Sequence, residues 1–87
     1  MNTFLVSYDL RRPGRNYQRL YYALASYSGW ARPLESVWLI ETVRTAQEVL
    51  DHLRQYIDPD DGIFVMTART PAAWHGVNQE VSRNPAY

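Results

Sequence analysis

Cysteine and lysine are both missing from this 87-residue chain. Without cysteine there is no disulfide and no thiolate metal site. The two histidines, His52 and His75, stand far apart and have no metal-ligand spacing. Ser7, Ser36 and these histidines form no recognisable nucleophile–base arrangement. No apolar run is longer than Leu20 to Ala25, far short of the roughly 20 residues that cross a bilayer. The first residues lack the basic and apolar segments of a secretion signal. A cytoplasmic protein without membrane contact is therefore expected.

What is present fits one small globular domain. The hydrophobic share is 46% and the charged share 21%, too apolar for a disordered chain. A core of this size is modest and gains from dimerisation. The net charge is zero, but it is unevenly placed. Residues 1–34 carry five arginines against Asp9 alone, a net of +4, and residues 35–87 carry four arginines against eight acids, a net of −4. Such a split gives one surface a positive field even when the total vanishes.

The segment Thr3 to Asp9 is rich in β-branched and aromatic residues and predicts a central strand, ended by Arg12-Pro13-Gly14. Tyr17, Leu20, Tyr21, Leu24 and Tyr27 predict a helix over 16–28, with Asn16 as its N-cap and Gly29 as its stop. Trp30 to Leu34 is ambiguous, and Pro33 would confine a strand there to a sheet edge. Glu35 to Thr42 is a clear strand. Thr45-Ala46-Gln47-Glu48 is a capping box opening a helix over 45–57. Asp58 to Gly62 is a turn, and Ile63 to Ala68 a third strong strand. Thr70-Pro71 opens a candidate short helix, and Trp74 is a candidate anchor for the tail.

This order predicts an α+β, ferredoxin-like βαββαβ sandwich over 1–68, with two helices on one face of an antiparallel sheet. Residues 69–87 form a tail that packs on the core or on a partner. Leu5, Trp38, Ile40, Phe64 and Met66 are divided between the sheet faces, and an uncovered apolar face is a natural dimer interface.

Two features carry chemistry. Asp9 is the only acid in the first 34 residues. Mg²⁺ takes hard oxygen ligands, and one Asp from each chain of a symmetric dimer supplies two. The blander role is an Asx-turn closing the strand. Arg11, Arg12, Arg15 and Arg19 cluster in the first loop and helix, where guanidinium groups can pair bidentately with phosphate. Their blander role is pairing with acids such as Glu41 or Asp51. Tyr22 lies off the apolar stripe and is the best candidate for stacking on a base. The aspartates at 58, 60 and 61 lack a calcium-loop pattern, and His52, also off the stripe of its helix, is expected to be exposed.

Tyr8-Asp9 closing the first strand, Ser36-Val37-Trp38 on a middle strand and Ile57-Asp58-Pro59-Asp60-Asp61 before the last core strand resemble the CRISPR-associated endonuclease/adaptor family. This is the smaller subunit of the spacer-integration complex. The likeness spans about residues 3–68. The opening Ser7-Tyr8-Asp9-Leu10-Arg11, the stretch Leu34 to Trp38 and the tail Trp74 to Asn78 are closer still to small uncharacterised relatives of that family. Virulence-associated toxin ribonucleases are more distant relatives. The resemblance implies a homodimer that binds RNA or DNA. In its active members the residue at the Asp9 position pairs across the two-fold axis and binds a divalent metal such as Mg²⁺. Other members do no chemistry and only hold DNA between partner subunits.

Overall fold

The computed structural model describes residues 1–12, 16–69, 73, 75–77 and 81–83, the last three by backbone alone. The chain runs β1 (Asn2–Asp9), α1 (Gln18–Ala25), β2 (Gly29–Leu34), β3 (Val37–Thr42), α2 (Ala46–Leu53), β4 (Gly62–Thr67) and β5 (Val81–Arg83). A single 3₁₀ turn, Arg54–Tyr56, extends α2. The sheet order is β4-β1-β3-β2-β5, with every neighbouring pair antiparallel. The first four strands and two helices make the ferredoxin-like α+β sandwich.

Side-chain alternation divides the sheet. Phe4, Val6 and Tyr8 of β1 and Trp38 and Ile40 of β3 are buried with Leu20, Ala23 and Leu24 of α1 and Val49 and Leu53 of α2. Burying these groups stabilises the sandwich, at about 25 cal/mol for each Å² of apolar surface removed from water. The odd-numbered positions of β1 and β3 point the other way. Register pairs Leu5 with Leu39 and with Met66, and Ser7 with Val37 and with Phe64. No described element covers this second face, and Phe64, Met66 and Leu34 stay 57%, 47% and 49% exposed.

Several local features differ from the sequence-based expectation. The first helix occupies Gln18–Ala25 rather than 16–28. The Asn16 side chain does accept from the Gln18 amide at 2.8 Å, but Tyr17 takes the N-cap position. The helix closes at Ser26, whose amide and hydroxyl both donate to the Ala23 carbonyl, at 3.2 and 2.6 Å. Gly29 therefore starts β2 instead of stopping α1. A Cβ there would come within 3.1 Å of Glu41 Oε1 on the neighbouring strand.

β2 is not an edge strand, because β5 pairs with it at Gly29, Trp30 and Ala31. Pro33 is accommodated where the β2–β3 register shifts between Ala31 and Leu34, beyond the β5 ladder. The second helix carries the expected capping box, with the Glu48 amide donating to Thr45 Oγ1 at 3.1 Å and the Thr45 amide to Glu48 Oε1 at 2.8 Å. Its α-helical part stops at Leu53 and the chain tightens into the 3₁₀ turn, so the expected 45–57 helix is shorter. In the tail, β5 joins the sheet. The candidate helix at Thr70-Pro71 and the candidate anchor Trp74 lie outside the described residues.

Candidate functional site at the Asp9 end of the sheet

Asp9 is the last residue of β1, opposite Gly62 on β4. Its odd position places it on the uncovered face, in line with Leu5 and Ser7. The side chain is 70% exposed, and its Oδ2 accepts from Arg11 Nε at 3.0 Å. The carboxylate thus meets a guanidinium, not the loop amides that an Asx-turn would supply. Asp61 takes that capping role instead. It accepts from the Arg11 amide at 2.7 Å, the Tyr17 hydroxyl at 3.1 Å and the Asp58 amide at 2.8 Å.

Arg11 and Arg12 of the first loop reach across to the acidic turn. Arg11 donates a further bond to the Asp60 carbonyl at 2.9 Å. Arg12 pairs with Asp60 at 2.8 Å and with Asp58 at 3.8 Å. Their partners are therefore Asp9 and the 58–61 turn, not Glu41 or Asp51. A clasp of two loops about 50 positions apart in sequence closes one end of β1 and β4. Arg11 also lies over Gly62, where a Cβ would come 3.3 Å from its Nη2.

The remaining candidates are not all gathered here. Arg15 lies outside the described residues. Arg19 and Tyr22 are exposed, Tyr22 at 67%, on the solvent side of α1, opposite the buried Leu20, Ala23 and Leu24. They occupy the outside of the helical layer, whereas Asp9 belongs to the uncovered face of the sheet. Among the described residues, no three His, Asp or Glu side chains stand close enough to hold a metal ion. Asp9 offers a single hard carboxylate, already paired with Arg11, whereas Mg²⁺ is usually held by one or two carboxylates together with water and phosphate.

A second cluster adjoins Asp9 and was not legible as a site in the sequence. The Tyr8 hydroxyl donates to the Glu35 carbonyl at 3.1 Å and accepts from Trp38 Nε1 at 3.0 Å. Burial raises its pKa, with the Trp38 hydrogen bond opposing, so it stays protonated as a structural donor. Arg32 donates twice to the same carbonyl, at 3.0 and 2.7 Å. Its guanidinium lies 4.7 Å from the Tyr21 ring centre and 5.2 Å from that of Trp38. A cavity of about 240 Å³ opens beside this cluster, lined by Tyr8, Asp9, Leu10, Tyr21, Glu35 and Ser36. A second recess of about 320 Å³ lies on the other side of Asp9, against Gly62, Ile63 and Phe64.

His52 departs from its expected exposure. It is half-buried, with Nδ1 2.7 Å from the Tyr27 hydroxyl and its ring edge-on to Tyr27 and Tyr56. Burial, then the nearby Arg44, lowers its pKa. It ties α2 to the end of α1 and takes no part in the Asp9 site.

No family model matches the chain. No helix among the described residues is long and apolar enough to cross a membrane. The crystal structure of a hypothetical protein from Thermus thermophilus superposes with a TM-score of 0.69 at 20% identity, covering 93% of this chain and 98% of that one. At that identity the likeness establishes a shared fold, extending over nearly the whole of both chains.

Proposed function

We propose that this chain acts as a homodimeric nucleic-acid-binding protein of the kind its resemblance to the CRISPR-associated nuclease/adaptor family implies. Two copies meet through the uncovered sheet face and bring their Asp9 carboxylates toward each other. The observation that carries this reading is that Asp9 lies on the same face as the exposed Phe64, Met66 and Leu34. Contiguous exposed apolar surface marks an interaction site, and a two-fold pairing duplicates any residue near its axis.

The paired Asp9 carboxylates are the residues that would hold Mg²⁺. When bound, the ion supplies a polarised phosphate oxygen and a more acidic water. Arg11 holds the Asp9 carboxylate through an exposed ion pair, a kind of contact usually worth less than about 1 kcal/mol. A phosphate or a cation can therefore compete for either partner. Arg19 and Tyr22 supply a backbone contact and a stacking surface on the outer side of α1.

Purified protein is incubated with RNA and with DNA, with Mg²⁺ or Mn²⁺, beside Asp9→Ala. Cleavage by the wild type that Asp9→Ala abolishes supports the catalytic form. Equal cleavage by both proteins, or none by either, ends it. A specific observation favours a second, non-catalytic adaptor reading. The acidic turn already engages Arg11 and Arg12, which leaves less free positive charge for a phosphate backbone. That reading predicts binding without cleavage, unaffected by Asp9→Ala. Capture of a protein partner, with no salt-sensitive nucleic-acid binding, would remove the nucleic-acid role altogether.

A further inference from the structure

We propose that the cavity between Tyr8, Tyr21 and the Glu35-Ser36 turn is a pocket for a single unpaired nucleobase, selecting bases that present amino donors, guanine foremost. The proposal rests on the nucleic-acid reading above and names the chemistry that the Asp9 site recognises.

Size comes first. The cavity holds about 240 Å³, below the roughly 300–1,000 Å³ of sites for drug-sized ligands. One flat base suits it better than a whole nucleotide. Tyr8 and Tyr21 back the cavity, their ring centres 6.3 Å apart and inclined by 38°. Tyr8 is only 7% exposed and Arg32 lies over the Tyr21 ring, so the base is held by hydrogen bonds to the polar lining rather than by stacking on an open ring face.

The wall is built rigidly. Three donors, the Tyr8 hydroxyl and two Arg32 nitrogens, converge on the one Glu35 carbonyl. Arg32 is itself placed over the Tyr21 and Trp38 rings. The turn that carries Glu35 and Ser36 is therefore fixed before any ligand arrives, and prior ordering lowers the entropic cost of binding.

Polarity then chooses the base. Asp9 and Glu35 carry carboxylates, which only accept hydrogen bonds, and Ser36 can donate or accept. Among the described residues, Asp9 Oδ1 and the Glu35 carboxylate have no hydrogen-bond partner. Guanine offers adjacent N1–H and N2 amino donors that one carboxylate can accept together. Adenine and cytosine each offer one amino group, and uracil and thymine place two carbonyl acceptors around a single N–H.

The full-length chain is titrated with GMP, AMP, CMP and UMP while the backbone amides of Tyr21, Glu35 and Ser36 are followed by NMR. GMP is expected to bind about tenfold or more tighter than UMP, the scale of discrimination that a bidentate base contact provides. AMP and CMP fall between. Glu35→Gln, at an exposed position, removes the preference, and Ser36→Ala weakens all four. Equal binding of GMP and UMP, or shifts elsewhere in the molecule, overturns the pocket. Salt-sensitive binding of a mixed-sequence strand in that case leaves the nucleic-acid reading standing. Selective GMP binding without any strand binding keeps the pocket and removes that reading. Free arginine shifting the same amides as strongly as GMP overturns the base assignment in favour of a guanidinium side chain from a protein partner.

Discussion

At the scale of single residues, His52 is a group whose protonation the fold opposes near neutral pH. Burial is the larger cause of its lowered pKa and the Arg44 charge the smaller. The unfolded chain takes up this proton near the ordinary value of 6.5, the folded one only at lower pH. The unfolded state therefore binds more protons in that window, and stability falls as pH drops through about 6.5 toward the folded value. Thermal unfolding followed between about pH 7.5 and 5.5 should show a declining Tm, and His52→Gln should flatten that decline. An unchanged slope in the variant would assign the effect to other groups. Residues also show where a sequence reading stops. That Asp9 is flanked by arginines follows from the sequence alone. That Arg11 holds it does not, because the partners of Arg11 in the acidic turn lie about 50 positions away. His52 looked exposed because helix spacing alone does not reveal that the Tyr27 hydroxyl ends 2.7 Å from its ring.

At the scale of elements, local chemistry decides what was legible. The Thr45–Glu48 capping box depends on four consecutive residues, and both of its hydrogen bonds form. Thr45→Ala should cost about 0.5–2 kcal/mol, lowering Tm by roughly 4–8 °C for each kcal/mol in a domain of this size. Leu53, fully buried at the other end of α2, should cost about 2–5 kcal/mol as Leu53→Ala. Urea unfolding measures both, and a smaller loss at Leu53 than at Thr45 would contradict the packing described. β1, β3 and β4 were readable because their apolar residues alternate against one helical layer. β2 was ambiguous because Pro33 forbids a regular ladder, and the structure resolves this with a register shift rather than an edge. The short β5 carries no periodicity, and its place is set by the side of β2 that β3 leaves unpaired.

At the scale of the whole molecule, one layer of helices protects one face of the sheet, and among the described residues nothing covers the other, an apolar surface with Asp9 at its end. That arrangement gives a small domain a reason to pair, since a single core of this size has little stability to spare. Phe64 is more than half exposed, so a charge there should leave the fold intact while opposing close contact between two such faces. Sedimentation velocity of the wild type and of Phe64→Glu, each with and without a labelled single strand, tests the central claim most directly. The account predicts a wild-type species of twice the 10.2 kDa chain mass that carries the strand, and a folded Phe64→Glu monomer that has lost it. A wild-type monomer, or a Phe64→Glu dimer that binds as well as the wild type, would contradict it.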